Sequence, residues 1–212
     1  MSDIFSGVDS SSACTASTVT CLQNAGISFV GRYYSRTTKI AGKKLTKAEA
    51  QLLSKGGLEI VAVYEDAPTS YSYFSEARGT ADATGALQQA ASVGQPHGSA
   101  IYFTVDYDPA PDEIADNITA YFEAINDVFA ADGGSGYSVG VYGSGATCAS
   151  ITEAKLADFA WLAQSTGWSG YTEFTEWNIK QGPEQSVCGL NSDTDVGHGG
   201  FGAFRVGSTS GT

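Results

Sequence analysis

Residues 100–109 read Ala-Ile-Tyr-Phe-Thr-Val-Asp-Tyr-Asp-Pro. Side chains alternate faces along a strand, so Ile101, Phe103 and Val105 form one apolar set, facing outer helices, while Tyr102, Thr104, Asp106 and Asp108 share the other face. Pro109 has no N–H to give a ladder and stops the strand there. A helical pattern over residues 73–93 precedes this strand and another over 111–131 follows it.

The same alternation extends in both directions. Strand patterns fall at residues 4–9, 29–34, 58–65, 138–143, 159–164, 175–181 and 190–196, with helical stretches at 15–25 and 46–55. The second of these opens on Thr46-Lys47-Ala48-Glu49, a capping box. Strand and helix in turn imply parallel strands with right-handed crossovers, and eight such strands close a barrel. The expected fold is therefore α/β: a compact, irregular (β/α)8 TIM-type barrel, with shortened outer helices after Gly143, Gln164 and Gln181. An open doubly wound sheet is disfavoured, because no G-x-G-x-x-G opens a helix after the first strand. Residues 1–204 are expected to form the single domain, and 205–212, of linker composition, a flexible tail.

Composition narrows the function. The 212 residues carry 11 Lys+Arg against 23 Asp+Glu, a formal charge of −12, which argues against nucleic acid because phosphate recognition needs a basic face. Hydrophobic residues make up 42% and charged ones 16%, leaving ample apolar material for a core. No run approaches the ~18 apolar residues of a membrane span, and the start, MSDIFSGVDSSS, has neither the basic nor the apolar region of an export signal. The four cysteines lack a C-x-x-C pair, and the only histidines, His97 and His198, stand apart, so neither a metal site nor a cofactor is expected. Four cysteines permit two disulfides, against the alternative of four buried thiols. The expected pairing is Cys14 with Cys21, seven residues apart, and Cys148 with Cys188 between late loops. Such bridges would place the protein outside a reducing cytosol.

Chemistry in this kind of barrel sits where the strands end. Acids occupy four such places: Asp9, Glu65-Asp66, Asp106-Tyr107-Asp108 and Asp193-Thr194-Asp195, of which Asp66 and Asp195 are expected to act only as helix caps or turn formers. Asp106 and Asp108, with Cα atoms roughly 6.6 Å apart at strand rise, cannot ionise equally easily in a partly apolar mouth. Glycoside hydrolysis uses that split: one acid protonates the leaving oxygen, and one anion attacks or stabilises the sugar cation. Tyr64, Tyr142, Trp161 and Trp177, near strand ends, are candidate sugar platforms. Arg32, charged within an apolar strand, is expected to point inward as a counter-ion. No G-x-S-x-G elbow is present.

The order Gly7-Val8-Asp9-Ser10-Ser11, Ile101 to Asp108, Val139-Gly-Val-Tyr-Gly143, Trp161-Leu-Ala-Gln164 and Asp193-Thr194-Asp195 resembles the glycoside hydrolase-like family of unknown function, which is related to the family-25 glycoside hydrolases, the lysozyme-type N-acetylmuramidases. The resemblance runs from residue 4 to about 204. It implies a hydrolase of bacterial peptidoglycan glycan strands, with Asp106 as nucleophile or stabiliser, Asp108 as general acid, and Asp9 and Asp193 holding the sugar. The muramidases carry Asp-x-Glu where this chain has Asp106-Tyr107-Asp108, one methylene shorter, so Glu65 is the alternative source of the acid. A wall- or glycan-binding domain without catalysis is the second reading, and a divalent-metal phosphodiesterase built on the same acids the third. A peptidoglycan substrate implies action in the periplasm or extracellular space. The route would be a removed signal or specialised delivery such as a phage lysis system or an injected toxin, the last with an inhibitory immunity protein as partner.

Overall fold

The structure, a computed structural model, describes residues 4–131 and 134–207. Of the expected domain and tail, residues 1–3, 132–133 and 208–212 lie outside the described ones. Eight strands close into one barrel in chain order: β1 (Ile4–Asp9), β2 (Phe29–Tyr34), β3 (Glu59–Tyr64), β4 (Ala100–Thr104), β5 (Ser138–Gly143), β6 (Phe159–Leu162), β7 (Ile179–Val187) and β8 (Leu190–His198). Strands β1 to β7 run parallel to one another, as expected. Strand β8 does not: it is antiparallel to both β7 and β1. The cause is local. Cys188 and Gly189 both take positive φ, 55° and 80°, and fold β7 onto β8 as a two-residue hairpin, leaving no chain for a crossover. Strand β7 consequently runs later than the 175–181 read from the sequence, with an irregularity in pairing between Gln181 and Glu184.

Helices α1 (Ala16–Asn24), α2 (Lys47–Lys55), α3 (Glu76–Val93), the short α4 (Pro111–Glu113) and α5 (Thr119–Ala130), joined through a π-helical stretch (Ile114–Ile118), and α6 (Gly145–Glu153) cover the outer wall. Each start has its chemical reason. Thr15, Thr46, Ser75 and Ser144 accept a backbone N–H of the first turn, supplying partners that the helix itself cannot. Among the described residues no helix lies between β6 and β7 or between β7 and β8.

Strand parity divides the core. Val8, Val30, Ile60, Ala62, Tyr64, Ile101, Phe103 and Val105 pack outward under the helices, while Phe29, Val61, Val63, Tyr102, Trp161 and Ile179 fill the barrel. Gly31 faces inward on β2, where an added Cβ would lie 2.7 Å from the Cβ of Asp9 and 2.8 Å from Trp161. That bare position lets the Trp161 ring sit against Asp9. Val206 is still buried, its N–H donating to Ser54 Oγ at 3.0 Å.

The cysteines pair differently from the expectation. Cys21 on α1 bonds Cys188 in the hairpin turn, while Cys14 and Cys148 are free and buried. Spacing along the chain favoured the local pair, but the hairpin brings Cys188 against α1, with the two Cα atoms 5.7 Å apart.

Candidate active site

The carboxyl ends of β1 to β7 surround a cavity of about 230 Å³ lined by Asp9, Glu65, Asp106 and Asp193, with Tyr33, Tyr142, Trp161 and Trp168 as aromatic walls. Register explains the convergence. Asp9 closes β1, Glu65 and Asp106 follow β3 and β4 on inward-facing positions, and Asp193 lies directly opposite Asp9. Asp193 reaches this mouth from the middle of its strand because β8 runs downward, so its amino half stands at the rim.

Three of the four acids are held by other side chains. Tyr33 Oη donates to Asp9 Oδ1 at 2.6 Å, and Gln181 Nε2 to Asp9 Oδ2 at 2.8 Å. Gln181 also donates to Asp193 Oδ2 at 3.3 Å, while Gln164 Nε2 donates to Asp193 Oδ1 at 3.0 Å. Tyr142 Oη gives its proton to Gln181 Oε1 at 2.8 Å, which fixes that amide with its N–H groups toward the acids. Lys43 Nζ pairs with Glu65 Oε1 at 2.6 Å and lies 4.7 Å from the centre of the Tyr33 ring.

Asp106 is different: no side chain among the described residues hydrogen-bonds its carboxyl. Burial, followed by the Glu65 charge, pushes its pKa up to about 6, against an opposing pull from Lys43. Burial likewise pushes Asp9 to about 6, its bonds from Tyr33 and Gln181 acting the other way. Asp193 is raised mainly by burial.

Four residues expected at the site lie elsewhere. Asp108 is exposed and outside the cavity: its carboxylate accepts the Ser169 N–H at 3.0 and 3.1 Å and the Ser169 hydroxyl at 3.0 Å. It thereby anchors the loop carrying Trp168, which lines the cavity. Pro109 follows directly, and the chain turns away from the mouth after Asp106. Arg32 shares the parity of Val30 and Tyr34, but that face is the outer one. Its guanidinium pairs with Glu49 of α2 at 2.8 Å and donates to the carbonyls of Ser10 and Gly42. Tyr64 also faces outward, its hydroxyl placed among Arg36, Asp66 and Asp82. Trp177 lies before β7, at the opposite end of the barrel, with its ring 4.4 Å from that of His198. Asp66, expected as a turn former, accepts the N–H groups of Arg36 and Thr37.

Lys43, Tyr33, Gln164 and Gln181 are the site residues that the sequence reading missed. Gln164 and Gln181 end strand patterns already identified, and Tyr33 shares the face of Gly31, so parity could have found all three. Lys43 sits in the irregular segment between β2 and α2, where no periodic signal marks it.

Comparison with known proteins agrees with this architecture. A Bacillus subtilis protein named as uncharacterized, YbfG, is 31% identical over 217 aligned residues, covering 97% of this chain; the chain spans only 30% of that protein. The Tat-secreted protein Rv2525c of Mycobacterium tuberculosis, solved with L-tartrate, superposes with a TM-score of 0.76 at 21% identity, over 94% of this chain and 98% of that one. The bacterial lysozyme of Streptomyces coelicolor gives 0.58 at 15% identity, over 93% of both chains. The model of one family matches residues 20–209, which hold strands β2 to β8 with Glu65, Asp106 and Asp193, and the chain belongs to that family, the Rv2525c-like, glycoside hydrolase-like domains.

Proposed function

We propose that this domain hydrolyses glycosidic bonds in the glycan strands of bacterial peptidoglycan, outside the cytoplasm. The observation that carries the reading is the free Asp106 carboxyl, holding its proton to about pH 6 in a mouth whose other acids are engaged. Asp106 gives that proton to the leaving oxygen, and Glu65, ion-paired with Lys43, is the anion that faces the developing sugar cation. Asp9 and Asp193 accept hydrogen bonds from sugar hydroxyls, and Trp168 and Tyr142 present aromatic surface to the ring, while Trp161, expected from the sequence as a sugar platform, is 1% exposed and serves as packing beneath the mouth. The Cys21–Cys188 bridge suits an oxidising compartment, and the lysozyme-type neighbours support a glycan substrate.

The test is release of reducing ends from purified peptidoglycan near pH 6. Asp106→Asn should lower the rate by about 10²–10⁴-fold, the range of general-acid catalysis. Full activity in that variant would refute the assignment. The engagement of Asp108 with Ser169, away from the cavity, favours one second reading, a glycan-binding domain. Co-sedimentation of the wild-type protein with peptidoglycan, without release of reducing ends, would establish it.

A further inference from the structure

Below Asp9 lies a fifth acid that lines no part of the cavity. Asp195 on β8 stands opposite Gly7 of β1 and Gln181 of β7, faces into the barrel and is 2% exposed. Its Oδ1 accepts the indole N–H of Trp161 at 3.0 Å. Its Oδ2 is enclosed and has no hydrogen-bond partner among the described residues. The group beside it is the Asp9 carboxyl, within hydrogen-bonding reach.

Two carboxyls in contact do not both ionise, and a buried ion with an unpaired oxygen takes up a proton instead. The surroundings decide which of the two carries it. Asp9 has two donors, from Tyr33 and Gln181, that favour its anion, whereas among the described residues Asp195 has only the indole. The polar groups around the pair are Asp9 on β1, Tyr33 on β2, Glu65 beyond β3, Tyr142 on β5, Trp161 on β6, Gln181 on β7 and Asp193 on β8. The nearby cations are spent elsewhere: Lys43 on Glu65, Arg32 on Glu49, and Lys180 over the Tyr171 ring.

We infer that Asp195 is a neutral carboxylic acid whose Oδ2–H donates a hydrogen bond to Asp9, making it the positioning residue that fixes Asp9 at the floor of the mouth as an anion able only to accept. Burial and the adjoining Asp9 charge both raise the proton affinity of Asp195 well beyond that of an ordinary carboxylate. The direction of the Asp9 oxygens, and hence which sugar hydroxyl they can receive, follows from this bond. That last step rests on the proposed glycosidase reading, while the proton placement does not.

Carboxyl ¹³C NMR of the aspartate-labelled full chain tests the placement without any substrate. The Asp195 signal should keep the shift of a neutral acid from pH 4 to pH 8. Asp195→Asn preserves both an acceptor for Trp161 and a donor for Asp9, so the Asp9 titration midpoint should stay within about half a pH unit of wild type. Asp195→Ala removes the donor, and the Asp9 midpoint should rise by about one pH unit, carrying the acidic limb of the glycan-cleavage profile with it. An Asp195 signal that titrates near pH 4 in the wild-type protein would overturn the inference, even if neither variant folds. So would equal Asp9 midpoints in the Asn and Ala variants. Absence of glycan cleavage by the wild-type protein would refute the glycosidase reading and leave the titration result standing.

Discussion

Breaking the Cys21–Cys188 bridge is the perturbation whose size the structure defines most directly. The two cysteines are 167 residues apart in sequence, so the bridge closes a loop of most of the chain. The chain-entropy relation for a loop of that length gives about 5 kcal/mol of stabilisation at 25 °C, drawn from the unfolded state. A local Cys14–Cys21 bridge would close only a seven-residue segment, which the same relation values at about 2 kcal/mol. With an unfolding entropy of ~2.1 cal/mol/K per residue over 212 residues, the larger figure corresponds to a fall in Tm of roughly 11 °C. Calorimetry of the Cys21→Ser/Cys188→Ser protein against wild type reads this directly, and Cys14 and Cys148, buried and unpaired, serve as internal controls. A Tm change below about 4 °C would refute the entropic reasoning. Four reactive thiols in the unfolded, unreduced wild-type protein would refute the bridge itself.

The pH dependence of glycan cleavage should be bell-shaped with its maximum close to pH 6: Asp9 must lose its proton and Asp106 must keep one, and both are raised to about 6. A rate still rising above pH 8 would contradict it. The same Asp106 shift affects stability. Its folded-state value lies above the ordinary 3.8, so the contribution is fully present below about pH 4 and is lost as pH rises through about 6. Denaturant titrations should therefore show Asp106→Asn gaining about 1–2 kcal/mol on wild type at pH 8 relative to pH 4, after discounting for the partly solvated mouth. Asp108→Ala frees the Ser169 loop and should raise KM several-fold with kcat within about twofold; a fall in kcat of ~10³ would return the acid role to Asp108. Arg32→Met leaves Glu49 buried without its partner and should cost about 3–5 kcal/mol in urea unfolding. It should leave the pH profile of cleavage in place, because Arg32 faces α2.

Much of the fold was legible because its evidence is periodic. The alternation in residues 100–106 placed Asp106 inward and Phe103 outward, and the structure has both so. The same parity was available on β2, but the arginine was read by its charge rather than by the apolar company of Val30 and Tyr34, which marks the outer face. The direction of β8 was hidden because Cys-Gly is not a composition that announces a tight hairpin, although the backbone there adopts one. Lys43, the disulfide and the Asp108–Ser169 latch each join segments far apart in sequence, and local pattern carries no information about such meetings. Four of the five acids expected at the mouth meet there and Asp108 does not; Asp193 joins them through the antiparallel register of β8, which sets it opposite Asp9.

The inverted last strand also governs how the domain can be mounted. Ile4 at the start of β1 pairs with His198 at the finish of β8, and Phe204 bridges to Ile60 near the start of β3. Both described ends therefore emerge from the floor of the barrel, on the side away from the acids. A parallel eighth strand would instead have released the chain beside the cavity. Any neighbouring module joined at either end departs from beneath, as a handle does from a cup, and a long polymer can be drawn across the open rim without meeting its own anchor.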